Sequence, residues 1–186
     1  MRKKHQLICA DILTLLRIAG TILLMFFRPL SAGFFWVYAM TGLTDALDGW
    51  IARKTKTASD FGARLDSVAD LLFYTVILLR VFPVLWSTLP GIIWYAVAAV
   101  LVVRISAYLV AVIKYHRFAS MHTYLNKLTG MAVFLVPIML VTAFAVPFCW
   151  GVCAVAAASS LEELAIHLHS GAYCPNRKSF FQKNTK

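Results

Sequence analysis

Residues 45–70 read DALDGWIARKTKTASDFGARLDSVAD, and this stretch contains five of the eight acidic residues in the chain. Two carboxylates three residues apart precede a short polar segment, and two carboxylates four residues apart follow it: Asp45, Asp48, Asp66 and Asp70. Residues three or four apart share one face of a helix. A short connection makes the two helices antiparallel neighbours, so the two acidic pairs are predicted to face each other at one level.

The composition around this stretch is that of a membrane protein. Of 186 residues, 61% are hydrophobic and 14% are charged, with a mean hydropathy of +0.76. A soluble domain is about 45–50% apolar and about 25% charged. This difference excludes a disordered chain, a coiled coil and a typical cytosolic enzyme. The net charge of +10 then indicates loops that face anionic lipid headgroups rather than a nucleic-acid partner.

Six apolar runs meet the requirement of about 20 residues for a membrane-spanning helix, if the first is extended. We predict spans at Ile12–Phe27, Ser31–Ala52, Gly62–Phe82, Gly91–Tyr115, Lys127–Ala145 and Pro147–Ile166. With both termini cytoplasmic, fourteen of the eighteen Lys and Arg residues lie in or beside cytoplasmic segments. Cytoplasmic loops carry this excess of basic residues in most membrane proteins. The sequence therefore predicts an all-α integral membrane protein of the cell membrane with cytoplasmic termini.

The span count divides the chain into three parts. Residues 1–10 are basic and too short to cross a membrane, so we expect a short N-terminal interfacial helix. Residues 11–169 form the six-helix domain, and residues 170–186 form a basic cytoplasmic tail. Serines at 159 and 160 precede glutamates at 162 and 163 at the spacing of a capping box, which predicts the start of a short surface helix.

The acidic cluster itself predicts a metal site. Four carboxylates in a low-dielectric site repel one another unless cations lie among them. Oxygen ligands suit Mg²⁺ or Mn²⁺, and two such ions could clamp a phosphoryl group during displacement. Gly49, Ala52 and Gly62 leave a groove for a bulky flat ligand. A cation or metabolite transporter is the alternative class, but it predicts acidic residues spread through the bilayer depth rather than at one level.

The same stretch carries a family resemblance. It fits the pattern D-x2-D-G-x2-A-R-x8-G-x3-D-x3-D at every fixed position, and in this it resembles the CDP-alcohol phosphatidyltransferases. Upstream, Asp11-Ile-Leu-Thr14-Leu-Leu-Arg17 is similar to the N-x-L-T-x-x-R segment of that family, with Asp11 where Asn is usual. An inactive family member would be expected to lack a motif aspartate, and none is lacking here.

The resemblance implies a fold, a reaction and a set of residue roles. It implies six helices, usually as a homodimer, around a polar cavity open to the cytoplasm. Such enzymes transfer the phosphatidyl group of CDP-diacylglycerol to an alcohol and release CMP. By position, the resemblance makes Asp45, Asp48, Asp66 and Asp70 the ligands of a two-metal Mg²⁺ or Mn²⁺ site, and Asp70 also the catalytic base. It makes Gly49, Ala52, Arg53 and Gly62 the binding residues for the CDP moiety.

The acceptor alcohol is less clearly indicated. Arg104 lies in the fourth span and Lys127 opens the fifth, and both resemble the family's pocket for phosphorylated acceptors. The alternative is that Arg104 pairs with one of the four aspartates and Lys127 is a loop charge. Ser67 after the third aspartate looks more like members that use serine, inositol or choline. We expect glycerol 3-phosphate as the acceptor, with a serine or inositol-type acceptor as the alternative.

Overall fold

The computed structural model describes residues 2–55, 60–116 and 123–169, and their side chains except at 2–12, 45–55, 60–64 and 67. Within these residues the fold is all-helical. The helices are α1 (Arg2–Leu24), α2 (Ala32–Thr55), α3 (Asp60–Thr88), α4 (Gly91–Tyr115), α5 (Tyr124–Met139) and α6 (Ala145–His169). The chain divides into two compact units, residues 1–87 and residues 88–186. The predicted tail, residues 170–186, lies outside the described part.

The helices have the lengths and surfaces of membrane spans. Within the described residues, three segments are long and apolar enough to cross a bilayer: Val68–Thr88, Gly91–Tyr115 and Ala145–His169. Two further apolar helical segments are shorter, Leu13–Leu24 and Tyr124–Met139. Large apolar side chains are strongly exposed in both units, which water would disfavour and lipid would accept. The structure is thus that of an all-α membrane protein, while six crossings and a cytoplasmic cavity stay predictions.

In the first unit, α1 packs closely against α2, and α2 stacks on α3. A Cβ atom built on Gly20 would lie 2.5 Å from the Thr41 hydroxyl oxygen, so glycine permits the close approach of α1 and α2. Buried Tyr38 of α2 stacks on Phe73 of α3, with ring centroids 5.7 Å apart. The guanidinium of Arg80 donates a hydrogen bond to the Phe27 carbonyl. The predicted proximity of the second and third helices is confirmed by the stacked rings.

In the second unit, α6 packs against both α4 and α5. The Thr123 hydroxyl caps the N-terminus of α5 by accepting a hydrogen bond from the Asn126 amide at 3.2 Å. Such a cap satisfies a backbone donor that the helix leaves unpaired. Pro90 stands directly before α4 in an extended conformation. The fourth helix therefore has the bounds predicted for the fourth span, Gly91–Tyr115.

Three sequence predictions are wrong. Helix α1 is not among them: it runs without interruption from Arg2 to Leu24, and the interfacial position of its first residues stays a prediction. Pro83 lies inside α3 rather than ending it, because membrane helices tolerate interior proline. Met139 ends α5 before the predicted end of the fifth span, and the Thr142 hydroxyl donates to its carbonyl at 2.8 Å. The predicted capping box is also wrong, because both serines are buried within α6.

Candidate active site

Asp66 and Asp70 converge on one arginine. They lie four residues apart on α3, and Nη1 of Arg17 on α1 donates to Oδ1 of both carboxylates, each at 2.7 Å. The Arg17 side chain is 1% exposed, whereas those of Asp66 and Asp70 are 46% and 42% exposed. Charge-assisted hydrogen bonds of this length are among the stronger polar contacts in proteins. One buried cation therefore holds two carboxylates of the motif together.

The buried face of α1 explains how Arg17 reaches this position. Thr14, Arg17, Thr21 and Leu24 are all buried, and their spacing of three or four residues defines a single helix face. The Thr21 hydroxyl donates back to the Arg17 carbonyl at 2.8 Å. Between the two aspartates, Ala69 is fully buried. A polar stripe on α1 thus fixes the arginine opposite the acidic face of α3.

The other motif residues lie on helices, but their side chains are outside the described part of the structure. Five of them belong to the C-terminal half of α2, and one belongs to the first turn of α3: Asp45, Asp48, Gly49, Ala52, Arg53 and Gly62. Helix α2 ends at Thr55 and α3 begins at Asp60. The short connection agrees with two neighbouring helix ends, and the contribution of these six residues to a site stays a prediction.

The donor set at Asp66 and Asp70 fits a hard divalent cation. Two carboxylate oxygens already converge on one positively charged atom, and Mg²⁺ and Mn²⁺ prefer such oxygen ligands. Among the side chains that the structure describes, no group of three or more His, Cys, Asp or Glu residues could hold an ion. A complete ligand set would therefore need the carboxylates of α2.

A second polar cluster lies in the other unit and joins three helices. Arg104 Nη1 of α4 lies 2.9 Å from Glu163 Oε2 of α6 and donates to Asn126 Oδ1 of α5 at 2.7 Å. Arg104 Nε also donates to the Tyr108 hydroxyl at 3.2 Å. The Glu163 side chain is completely buried, and that of Arg104 is 26% exposed. The cluster is a mostly buried ion pair with its own hydrogen-bond shell.

Asn126 is the centre of this cluster. Its carbonyl oxygen accepts from Arg104 and, at 2.5 Å, from the Ser159 hydroxyl. Its amide nitrogen donates to Glu163 Oε2 at 3.1 Å. His167, one turn after Glu163, places Nε2 at 3.8 Å from Glu163 Oε1. Arg104, Asn126, Ser159 and Glu163 all form hydrogen bonds or ion pairs in this cluster, as buried polar groups require, so the cluster fixes α6 against α4 and α5.

The structure changes the interpretation of the predicted acceptor residues. Among the described side chains, the carboxylate that pairs with Arg104 is Glu163, which lies outside the aspartate motif. Lys127 lies in the first turn of α5 with an exposed side chain. The sequence does not identify Glu163 as the partner of Arg104, because the two residues lie far apart in the chain. One sequence signal is present: Ser159, Glu163 and His167 are four residues apart, which places three polar side chains on one face of α6.

A family model matches most of the chain. Residues 7–161 match the family model for CDP-alcohol phosphatidyltransferase. The chain belongs to the CDP-alcohol phosphatidyltransferase family. The matched range includes the acidic stretch, Arg17 and Arg104, and it ends two residues before Glu163. Members of the CDP-alcohol phosphatidyltransferase family generally depend on a divalent metal ion, which agrees with the oxygen donors at Asp66 and Asp70.

Individual members of the family are similar over shorter ranges. A CDP-diacylglycerol–glycerol-3-phosphate 3-phosphatidyltransferase of Wigglesworthia glossinidia brevipalpis is 34% identical over 89 residues, which are 44% of this chain and 49% of the relative. The Pseudomonas fluorescens protein of the same name is 35% identical, covering 44% and 46%. A CDP-diacylglycerol–serine O-phosphatidyltransferase of Methanocaldococcus jannaschii is 39% identical, covering 36% and 31%.

The matched regions span about half the length, or less, of these curated relatives. No solved structure matches the chain.

Proposed function

We propose that this protein transfers the phosphatidyl group of CDP-diacylglycerol to a small alcohol and releases CMP. The main support is that Asp66 and Asp70 converge on one cationic group, the guanidinium of Arg17. A site that cleaves a diphosphate needs carboxylate oxygens that can bind metal cations in this way. The complete aspartate pattern of residues 45–70 and the family membership support it. The membrane-spanning helices give access to a lipid substrate.

In the proposed reaction, the acceptor hydroxyl oxygen forms a bond to the lipid-side phosphorus of the diphosphate. The bond between that phosphorus and the bridging oxygen breaks, and CMP leaves with the electron pair. Asp70 takes the proton of the acceptor hydroxyl. Bound Mg²⁺ or Mn²⁺, held by Asp45, Asp48, Asp66 and Asp70, would offset charge on the diphosphate. Gly49, Ala52, Arg53 and Gly62 would bind the CDP moiety.

Glycerol 3-phosphate is the proposed acceptor. The names of the Wigglesworthia and Pseudomonas relatives support it, as does the partly exposed guanidinium of Arg104, which we propose contacts the acceptor phosphate together with Lys127. Serine is the second candidate, supported by Ser67 and by the Methanocaldococcus relative. An inositol-type acceptor would also fit the motif. We further propose a homodimer in the cell membrane with cytoplasmic termini.

An acceptor screen tests this function. The purified chain is incubated with CDP-diacylglycerol, Mg²⁺ or Mn²⁺, and either glycerol 3-phosphate, serine, inositol or inositol phosphate, and the released CMP is measured. The proposal expects CMP release that needs one acceptor, with glycerol 3-phosphate the most effective. If turnover were fastest with serine, serine would replace glycerol 3-phosphate as the proposed acceptor, and the proposed reaction type would stand. No CMP release with any of these alcohols would contradict the proposed function.

A further inference from the structure

Arg17 occupies a position that a bridging metal ion would need. One nitrogen, Nη1, contacts Oδ1 of Asp66 and Oδ1 of Asp70 at 2.7 Å each. A Mg²⁺ ion that bridged the same two oxygens would lie about 2.0–2.1 Å from each of them. The nitrogen and the ion cannot share that space. Binding of an ion between these two oxygens therefore requires either Arg17 or the aspartates to move.

The aspartates are the side chains that can move. Arg17 is 1% exposed, and the two aspartates are 46% and 42% exposed. Its helix face is buried on both sides, with Thr14 and Thr21 at 3% and 1% exposure. Moving a buried guanidinium means displacing the close-packed residues around it, which is costly, whereas a half-exposed carboxylate can rotate and offer one oxygen to an ion while the other stays near Arg17. Metal binding should then reorient the carboxylates and leave the charge of Arg17 beside the ion.

From this geometry we propose that Arg17 is a built-in counter-ion of the acidic site. It holds Asp66 and Asp70 together in the metal-free protein, and its fixed positive charge weakens the binding of a divalent cation to them. The inference rests on the proposed function, since it concerns the same metal site. Its consequence is a metal site that is weak in the free protein and strengthens when the diphosphate of the substrate adds negative charge.

A metal titration without substrate tests the inference. The purified full-length chain and its variants are titrated with Mn²⁺, and the free ion is measured by electron paramagnetic resonance. Arg17→Gln should bind Mn²⁺ at least about tenfold more tightly, because a unit charge beside a divalent ion is worth more than a factor of ten at an effective dielectric near 20. Arg17→Lys keeps the charge and should stay close to the unaltered chain.

Arg80→Gln is the matched control, since Arg80 is another arginine of the same unit, and its described contact is the Phe27 carbonyl. Its Mn²⁺ affinity should not change. Equal or weaker Mn²⁺ binding by Arg17→Gln would overturn the inference, because it would mean that the arginine organises the ligands without opposing the ion. A strong loss of affinity in Arg17→Lys would overturn it for the same reason.

A charge-balanced pair covers the case in which Arg17→Gln fails to fold without metal. Asp70→Asn is compared with the double variant Arg17→Gln/Asp70→Asn, which removes one charge of each sign. The double variant should bind Mn²⁺ more tightly than Asp70→Asn alone, and equal or weaker binding would contradict the inference. If the unaltered chain releases CMP but the double variant does not bind Mn²⁺ more tightly, only the counter-ion role of Arg17 is refuted. A chain that neither binds Mn²⁺ nor releases CMP refutes the proposed function as well.

Discussion

Arg104 forms an ion pair with Glu163, and this pairing affects how Arg104 could contact an acceptor. Its charge is offset by Glu163 at 2.9 Å, and Asn126 accepts from the same nitrogen. Because Glu163 is completely buried, it cannot turn away into water at low cost. A phosphate at the exposed part of Arg104 would therefore meet an oriented guanidinium with a partly neutralised charge. Arg104 is better suited to select a phosphate by geometry than by charge alone.

Replacing Arg104 should affect the acceptor more than the nucleotide substrate. Arg104→Ala is expected to raise the apparent KM for glycerol 3-phosphate and leave CDP-diacylglycerol binding nearly unchanged. Loss of a charge-assisted contact to a phosphate costs about 2–3 kcal/mol, or roughly 30- to 150-fold in kcat/KM. Steady-state kinetics on folded protein, with each substrate varied in turn, measures both effects. Equal weakening of CDP-diacylglycerol binding would assign the arginine to the other substrate.

Removing Glu163 should destabilise the second unit strongly. Glu163→Ala leaves the guanidinium of Arg104 without its carboxylate and Asn126 without an acceptor, and breaking a buried ion pair in this way costs about 3–5 kcal/mol. Glu162→Ala removes the same side chain at the adjacent, half-buried position and should cost clearly less. Unfolding in detergent with a denaturant measures both free energies. Equal losses would contradict a structural role for the Glu163 cluster.

Helix packing in the first unit depends on a glycine. The distance of 2.5 Å between a Cβ built on Gly20 and the Thr41 hydroxyl oxygen means that a larger residue must displace Thr41 or separate α1 from α2. Thr41 is buried, and its hydroxyl already donates to the Val37 carbonyl at 2.7 Å. Overpacking in such a contact is destabilising. The position of Arg17 opposite α3 depends on the same helix, α1.

The Gly20 contact can be tested by substitution and rescue. Gly20→Ala should lower the free energy of unfolding by about 1–3 kcal/mol. Adding Thr41→Ala should restore part of the loss, because the clashing hydroxyl is then absent. Gly130→Ala is the control, since a Cβ there meets nothing within 4 Å, and alanine favours a helix over glycine by about 1 kcal/mol. A stable Gly20→Ala variant would show that α1 and α2 lie further apart than described.

The helices were more predictable than the contacts between them. The bounds of α4 followed from Pro90 and from the charged end of an apolar run, which are local signals. Asp66 and Asp70 were predicted to share a face because four residues make about one helical turn. By contrast, Arg17 lies 49 and 53 residues from Asp66 and Asp70, the partners described for it. A charge within a predicted span is costly and so calls for a partner, but one sequence does not specify which carboxylate a distant arginine meets.

At the scale of the whole molecule, the charge distribution predicts the orientation in the membrane. The basic residues concentrate near one predicted side, so both termini and the loop between α2 and α3 should be cytoplasmic. A single cysteine at position 57, in a chain with its four native cysteines replaced, should be labelled only from the cytoplasmic side. Labelling from outside intact cells would contradict the six-span arrangement. Cysteine at 87, an exposed position near the end of α3, is the control that should react from the other side.

The proposed phosphatidyl transfer depends on the aspartate cluster and on a divalent metal ion. The most direct measurement follows CMP and the phosphatidyl product together from CDP-diacylglycerol and glycerol 3-phosphate. We expect equal amounts of both, loss of both after chelation of divalent ions, and recovery with Mg²⁺ or Mn²⁺. Asp66→Asn should abolish both, and Asp70→Asn should abolish turnover but still bind CDP-diacylglycerol. Undiminished product formation by Asp66→Asn, or by the unaltered chain without divalent ions, would contradict metal-dependent transfer at this cluster.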